Sequence, residues 1–338
     1  MTRKKYLLFA TMTALLAVVL SLAGMIAVDL YCHYKFRESA GLNIWGYRGP
    51  VVGRKKSGER RVVVLGESQT FGYGVHWQET IPAYLEEALN RAPRQGGPIS
   101  VVNLGANGDA AHAYAFTLDD YRYLGYDAVV FYSGYSDVGG YNPGVMRHDS
   151  VVFRKTGYMP ILPLILREKS MALMYGGHLE DAYKGRATTF KPNAVDHTAA
   201  NVLDAAATVS EAMERRTKIV EQPSARDAAV QDGAACGTKW AYYCGGMYRA
   251  VKYALDHQKQ VLVVTQPYVN DSHIDEQRQL IPFLTERFAG NPRLRFANLG
   301  DALDLKDASV SWDGFHLNVK GNRLVAEKLA APVSEILR

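Results

Sequence analysis

The chain has 338 residues, long enough for one large or two modest domains with a sizeable core. Its 22% charged and 11% aromatic residues exclude a disordered, collagenous or low-complexity chain. A formal net charge of +5, spread along the sequence, gives no basic tract for nucleic acid. Hydrophobicity is concentrated at the start, where Tyr6 to Val28 is a 23-residue run without a charge, between Arg3-Lys4-Lys5 and Asp29. As a helix this run would extend ~34 Å at ~1.5 Å per residue, enough to cross a hydrocarbon layer about 30 Å thick. Tyr31, Tyr34 and Phe36 follow where an aromatic belt would sit. The run is longer than a signal-peptide core, and the small-residue pattern Ser21-Leu22-Ala23 lies inside it. An uncleaved signal anchor over 6–28 is therefore expected, with 1–5 as a cytoplasmic tail; a cleaved signal peptide is the competing reading. Three basic residues precede the run and three follow it (Lys35, Arg37, Arg48), and the α-amino charge tips the balance toward a tail inside.

Residues 29–60 read as a polar, Gly-containing connector. From Arg61 the sequence alternates short apolar runs with amphipathic periods. The runs Arg61–Leu65, Ile99–Leu104, Asp127–Tyr132, Val261–Thr265 and Leu294–Leu299 are of buried-strand type. Between the first two, Ile81, Tyr84, Leu85, Ala88 and Leu89 recur at helical spacing behind Thr80-Ile81-Pro82. A second helical pattern runs to Leu124 and stops at Gly125. Such alternation predicts a parallel sheet covered on both faces. The pattern fades after Val138, so 61–338 reads as one α/β domain with an insertion at about 138–258. Helices are expected there over Asn201–Val220 and Lys239–His257, and the apolar Gly157–Gly177 segment suits a lid, a surface against the bilayer or an ordinary subdomain.

Open parallel sheets bind ligands at the carboxyl ends of their strands. Three loops there are rich in polar and small residues: Gly66–Gly74, Asn103–Asp109 and Ser133–Asp137. A fourth segment, Asp313-Gly314-Phe315-His316, precedes the last helical pattern. A serine directly after a strand with a late Asp/His pair supplies the parts of acyl transfer. Serine needs a base to remove its proton, the base needs a carboxylate to hold its tautomer, and the oxyanion needs oriented N–H donors.

Gly66-Glu67-Ser68, Gly108, Gly134-Tyr135-Ser136-Asp137 and Asp313-Gly314-Phe315-His316, in this order on strand ends, resemble the four blocks of the SGNH/GDSL hydrolase family. The connector Gly41–Gly49 is similar to the segment that leads into the core of membrane-anchored bacterial members. The resemblance implies a flavodoxin-like three-layer α/β/α sandwich with a parallel sheet, here behind one N-terminal transmembrane helix. It implies esterase, lipase or polysaccharide O-acyl chemistry, with Ser68 as nucleophile, His316 as general base and Asp313 orienting it. Ser68, Gly108 and Ser136 would form the oxyanion hole. Ser136 stands where the family has asparagine and Glu67 where it usually has aspartate, so a catalytically weak or inactive subunit that scaffolds a membrane complex is the alternative. The expected setting is a single pass through a bacterial inner membrane, with the main domain periplasmic or otherwise extracytoplasmic. The expected partners are a small-molecule or glycan acyl ester and membrane proteins; no cofactor, metal or nucleic acid is expected.

Other residues carry weaker signals. Asp109 to His112 repeats the Asp-x-x-His spacing, but Asp109 reads as a cap for the helix after the second strand. Residues 33, 76, 148, 178, 197, 257 and 273 are histidines without metal-ligand spacing. His273 follows a strand and either lines the pocket or sits in a polar loop. Tyr132, Tyr135 and Tyr141 either stack on sugar rings or pack. Cys236 and Cys244 either bridge, as suits an oxidising compartment, or remain free thiols, and Cys32 lies near the membrane run.

Overall fold

The Tyr6–Val28 run forms part of a longer helix, α1 (Arg3–Phe36), in the computed structural model, which describes residues 3–38, 41–91, 97–176, 193–217 and 223–338. There follow in chain order β1 (Arg60–Gly66), α2 (Ser68–Phe71), α3 (Ile81–Asn90), β2 (Ile99–Asn103), α4 (Ala111–Asp120) and β3 (Ala128–Tyr132). Next come α5 (Val151–Thr156), α6 (Leu162–Met174), α7 (Ala194–Thr217), α8 (Pro223–Asp232) and α9 (Gly237–Asp256). The chain closes with β4 (Gln260–Thr265), α10 (Asp271–Arg287), β5 (Leu294–Asn298) and α11 (Val319–Ile336).

Two units divide the chain: Met1–Phe36 with Pro160–Thr217, and Arg37–Met159 with Lys218–Arg338. In the smaller unit α1 is long and apolar enough to cross a membrane, with a mean hydropathy of 2.3 over its most apolar window. Its Asp29 carboxylate accepts the Ile161 and Leu162 amides at 2.9 and 2.5 Å, satisfying orphan donors at the start of α6. Helices α6 and α7 meet through Ser170, whose hydroxyl donates to the Ala200 carbonyl at 2.9 Å.

In the larger unit five parallel strands run in the order β2-β1-β3-β4-β5. The register aligns Val102, Val63, Val129, Val261 and Leu294 in one row across the sheet, and all five are buried on one face. On the other face Val64, Val130 and Leu262 form a matching row. Alternate residues along each strand thus serve opposite faces, which is why these strands read as continuous Val-rich runs. The first face is covered by α4, α9 and α10, and the second by α3 and α11. This is the three-layer α/β/α sandwich anticipated above. Thr80 caps α3 by accepting the Ala83 amide, as the Thr80-Ile81-Pro82 signal predicts.

The stretch expected as an insertion is divided. Helices α6 and α7 fall in the smaller unit, whereas α9 belongs to the core of the larger one. The reason is its apolar stripe, in which Trp240, Tyr243, Cys244, Met247 and Val251 recur at helical spacing and are buried on the sheet. Cys236 and Cys244 are joined in a disulfide. The connector residues also pack on this unit. Tyr47 is buried, and Arg48, whose pKa burial lowers to about 10, donates to the Val75 carbonyl at 2.8 Å and lies over the Phe71 ring.

Chain order and strand order part company at β1. One connection leaves β1 over the α3 face to β2, and the next returns over the α4 face to β3. The loops at the carboxyl ends of β1, β2 and β3 therefore splay around one crevice, where open α/β sheets place their ligands.

Candidate active site

Ser68 opens the four-residue helix α2 immediately beyond β1, so its amide has no acceptor within the helix. The tight strand-to-helix turn needs a glycine at position 66, because a Cβ there would lie 2.1 Å from the Tyr132 carbonyl oxygen of the neighbouring strand. Loop two is held against this turn by the Ala106 amide, which donates to the Gly66 carbonyl at 3.1 Å.

The last loop brings His316 and Asp313 to the same place. The His316 ring lies with Nε2 3.1 Å from the Ser68 hydroxyl and Nδ1 2.6 Å from Asp313 Oδ2. With Nδ1–H donating to the carboxylate, Nε2 is left as the acceptor for the Ser68 proton. Asp313 Oδ1 also accepts the Phe315 and His316 amides at 2.9 and 2.6 Å, which fixes the carboxylate within its own turn. Burial alone would raise the Asp313 pKa, but the hydrogen bonds from the His316 ring and amide, with the His316 charge and the Phe315 amide, outweigh it and hold it below its ordinary value. The turn is tied to the nucleophile loop by Gln69, whose side-chain amide donates to the Phe315 carbonyl. Gln69 in turn accepts the Tyr132 hydroxyl at 3.1 Å.

Aromatic rings surround the imidazole. Trp312 stacks on His316 at 5.3 Å and 14°, and Tyr73 and Phe315 lie 4.9 and 4.8 Å from it. Trp312 is 44% exposed, so part of this collar faces outward beside Ser68.

Gly108 and Ser136 are joined by a residue that the sequence reading passed over. Asn142 Nδ2 donates to the carbonyls of Gly108 and Ser136 at 3.3 and 3.2 Å, while its oxygen accepts the Gly144 amide at 2.9 Å. Both amide protons are thus spent on bracing loop two against loop three. The only available signal was an Asn six residues beyond the block-three serine, and spacing alone does not distinguish it from a turn residue.

Beneath the crevice lies a cluster of buried carboxyls. Glu67 accepts the Tyr135 amide at 2.9 Å and the Tyr114 hydroxyl at 3.4 Å, tying the nucleophile loop to the end of β3. Burial pushes its pKa up to about 7 against hydrogen bonds from its own amide, the Gln266 side chain and the Tyr135 amide, and the charge of Asp109 adds to the rise. Burial likewise pushes Asp109 up to about 6 and Asp137 well above its ordinary value.

The remaining candidates lie elsewhere. Asp109 and His112 are both buried, and Asp109 is not the cap expected of it. Helix α4 begins at Ala111, and the Asp109 carboxylate accepts the Ala110 and Val145 amides, each at 3.0 Å. His273 is fully buried against the Tyr135 ring, and burial lowers its pKa to about 4. Tyr132 and Tyr135 are buried packing residues, whereas Tyr141 is half exposed. Residue 178 lies outside the described residues. Among the described residues no group of three His, Cys, Asp or Glu side chains is arranged to hold a metal ion.

No family model matches the chain, and no curated protein matches it. Among solved structures it is similar to a psychrotrophic esterase from Pseudoalteromonas sp., at 10% identity over 82% of this chain and 98% of that one, with a TM-score of 0.42. It is similar to a GDSL-like lipase from Bacteroides thetaiotaomicron, at 13% identity over 84% of this chain and 92% of that one, also at 0.42. A family 3 carbohydrate esterase from Clostridium thermocellum matches at 10% identity over 82% of this chain and 98% of that one, again at 0.42.

Proposed function

We propose that the chain is a serine esterase or O-acyltransferase of the SGNH/GDSL type, acting on an acyl ester of a small molecule or glycan. The reading is carried by one observation, the relay from the Ser68 hydroxyl through His316 to Asp313, at 3.1 and 2.6 Å. Ser68 Oγ attacks the acyl carbonyl carbon while His316 Nε2 takes its proton. The Ser68 and Gly108 amides and the Ser136 side chain donate to the oxyanion. The tetrahedral intermediate collapses, His316 returns the proton to the departing alkoxide, and the acyl group remains on Ser68. Water then makes the protein an esterase, and a sugar hydroxyl makes it an acyltransferase.

The N-terminal helix serves in this reading as an uncleaved anchor, with the catalytic domain outside the cytoplasm. Its length and apolarity support that role, and the Cys236–Cys244 bridge suits an oxidising compartment. Ser136 in place of asparagine supports the second reading, a folded subunit without turnover that assembles with membrane partners. Labelling of the full chain in detergent with a fluorophosphonate separates the two. Esterase chemistry requires covalent labelling and aryl acetate hydrolysis, both lost in Ser68→Ala. A folded protein with neither activity refutes the enzyme reading.

A further inference from the structure

Helix α2 carries Ser68 but is only four residues long, too short to hold its own shape. Its position is therefore set by what grips it from outside. At its C-terminal end the carbonyls of Thr70 and Phe71 accept the side-chain amide of Asn103 at 2.8 and 3.4 Å. Loop two lies so close that a Cβ on Gly105 would come within 2.7 Å of the Phe71 amide nitrogen. The other grip comes from Arg48, upstream in the connector and 2% exposed. Its Nη2 donates to the Val75 carbonyl just beyond α2 at 2.8 Å, and its Nη1 to the Gly41 carbonyl at 3.3 Å. The guanidinium carbon lies 4.6 Å from the centroid of the buried Phe71 ring. A second route runs through the backbone, where the Arg48 amide donates to the Asn103 carbonyl at 3.1 Å. One residue thus reaches the nucleophile helix twice, through its own side chain and through Asn103. A buried guanidinium is costly, and an apolar side chain of similar volume is often as stable or more so. What the guanidinium adds is direction: a rigid planar fork fixes two carbonyls, and its flat face lies over an aromatic ring.

We infer that Arg48 is a positioning residue for Ser68, which makes the connector over 41–49 part of the catalytic scaffold and not a tether alone. The inference rests on the serine hydrolase reading proposed above. Arg48 acts through α2 and not on the acyl group. By fixing the axis of α2 it aims the Ser68 hydroxyl at His316 Nε2 and the Ser68 amide at the oxyanion. A displacement of about 1 Å at the reacting atoms costs on the order of 10² in rate.

The test uses the full chain in detergent, with Arg48→Ala and the milder Arg48→Lys, each assayed well below its own thermal midpoint. Lysine keeps the charge but is a point donor without a flat face or a fixed fork. Arg48→Lys is expected to lower kcat on aryl acetates about tenfold, with KM within about threefold of wild type. Fluorophosphonate labelling of Ser68 should slow by a similar factor. Arg48→Ala should lose on the order of 10² in kcat, and added methylguanidinium should restore part of that loss. A purely structural role would move the thermal midpoint and leave kcat of the folded protein unchanged. Wild-type kcat in folded Arg48→Lys, or a rise in KM at constant kcat, would overturn the assignment while the hydrolase reading stands. A folded wild-type chain that neither labels nor hydrolyses aryl acetates refutes that reading, and this assignment with it.

Discussion

The side-chain amide of Asn142 donates to the Ser136 carbonyl at 3.2 Å, and the same nitrogen reaches the Gly108 carbonyl at 3.3 Å. Two backbone segments assigned to the oxyanion hole are thus pinned to one another by a side chain outside every block. Preorganised donors stabilise an oxyanion only if they do not have to move as charge develops. Asn142→Ala is expected to lower kcat on aryl acetates about tenfold, with KM changed by less than about threefold. Asn142→Asp should behave like the alanine variant, because a carboxylate cannot donate. A rise in KM at constant kcat would assign Asn142 to substrate binding instead.

Ser136 itself gives the complementary experiment. Its hydroxyl is shorter than the asparagine amide of the SGNH/GDSL block that this segment resembles, and loss of one good donor costs on the order of 10²–10³ in rate in a well-studied hydrolase. Ser136→Asn is therefore expected to raise kcat by about tenfold or more on aryl acetates. An unchanged kcat in a folded variant would mean that position 136 does not face the oxyanion.

Asp313→Asn keeps the shape of the His316 partner but removes its charge and allows the wrong imidazole tautomer. The expected result is a fall in kcat on the order of 10³–10⁴ with KM nearly unchanged. Stopped-flow measurement of the acylation step locates the loss. An acylation rate within about threefold of wild type would separate Asp313 from the chemistry.

These parts differed in how far the sequence revealed them. Buried parallel strands read as Val-rich runs between turn residues, so all five strands were legible within a residue or two, as Val62–Leu65 and Val129–Tyr132 illustrate. The Ser68, His316 and Asp313 positions followed from block order along the strands. Asn142 and Trp312 were not legible, because their partners come from other loops and no local period marks such contacts. Asp109 resembled a helix cap in sequence, yet its carboxylate reaches Val145, 36 residues away. The apolar stripe of α9 predicted a helix correctly but carried no information about which unit it would cover.

Trp312 stacks within 14° of the His316 ring plane and limits the imidazole's rotation. Trp312→Ala should lower kcat about tenfold through a looser base, and Trp312→Phe should restore most of it by keeping a flat ring in place. Equal losses in both variants would assign the effect to the indole N–H or to the bulk of Trp312 and not to stacking.

Glu67 links the site to stability. Its pKa rises from 4.5 to about 7 on folding because the carboxyl is buried. Below about pH 4.5 the group is protonated in both folded and unfolded chains and imposes no penalty. As pH rises through about 7 the folded state must ionise a buried acid that the unfolded state ionises freely, so stability falls across that window, by roughly 3 kcal/mol at about 1.4 kcal/mol per pKa unit. Asp109 and Asp137 shift in the same direction and steepen the decline. Glu67→Gln removes the titrating proton while keeping an acceptor for the Tyr135 amide. Thermal midpoints measured from pH 4 to 8 should therefore fall with pH in the wild type and fall less in the variant, with the two curves converging at the acid end once a constant offset is removed. Parallel curves across the whole range would show that Glu67 does not hold the proton.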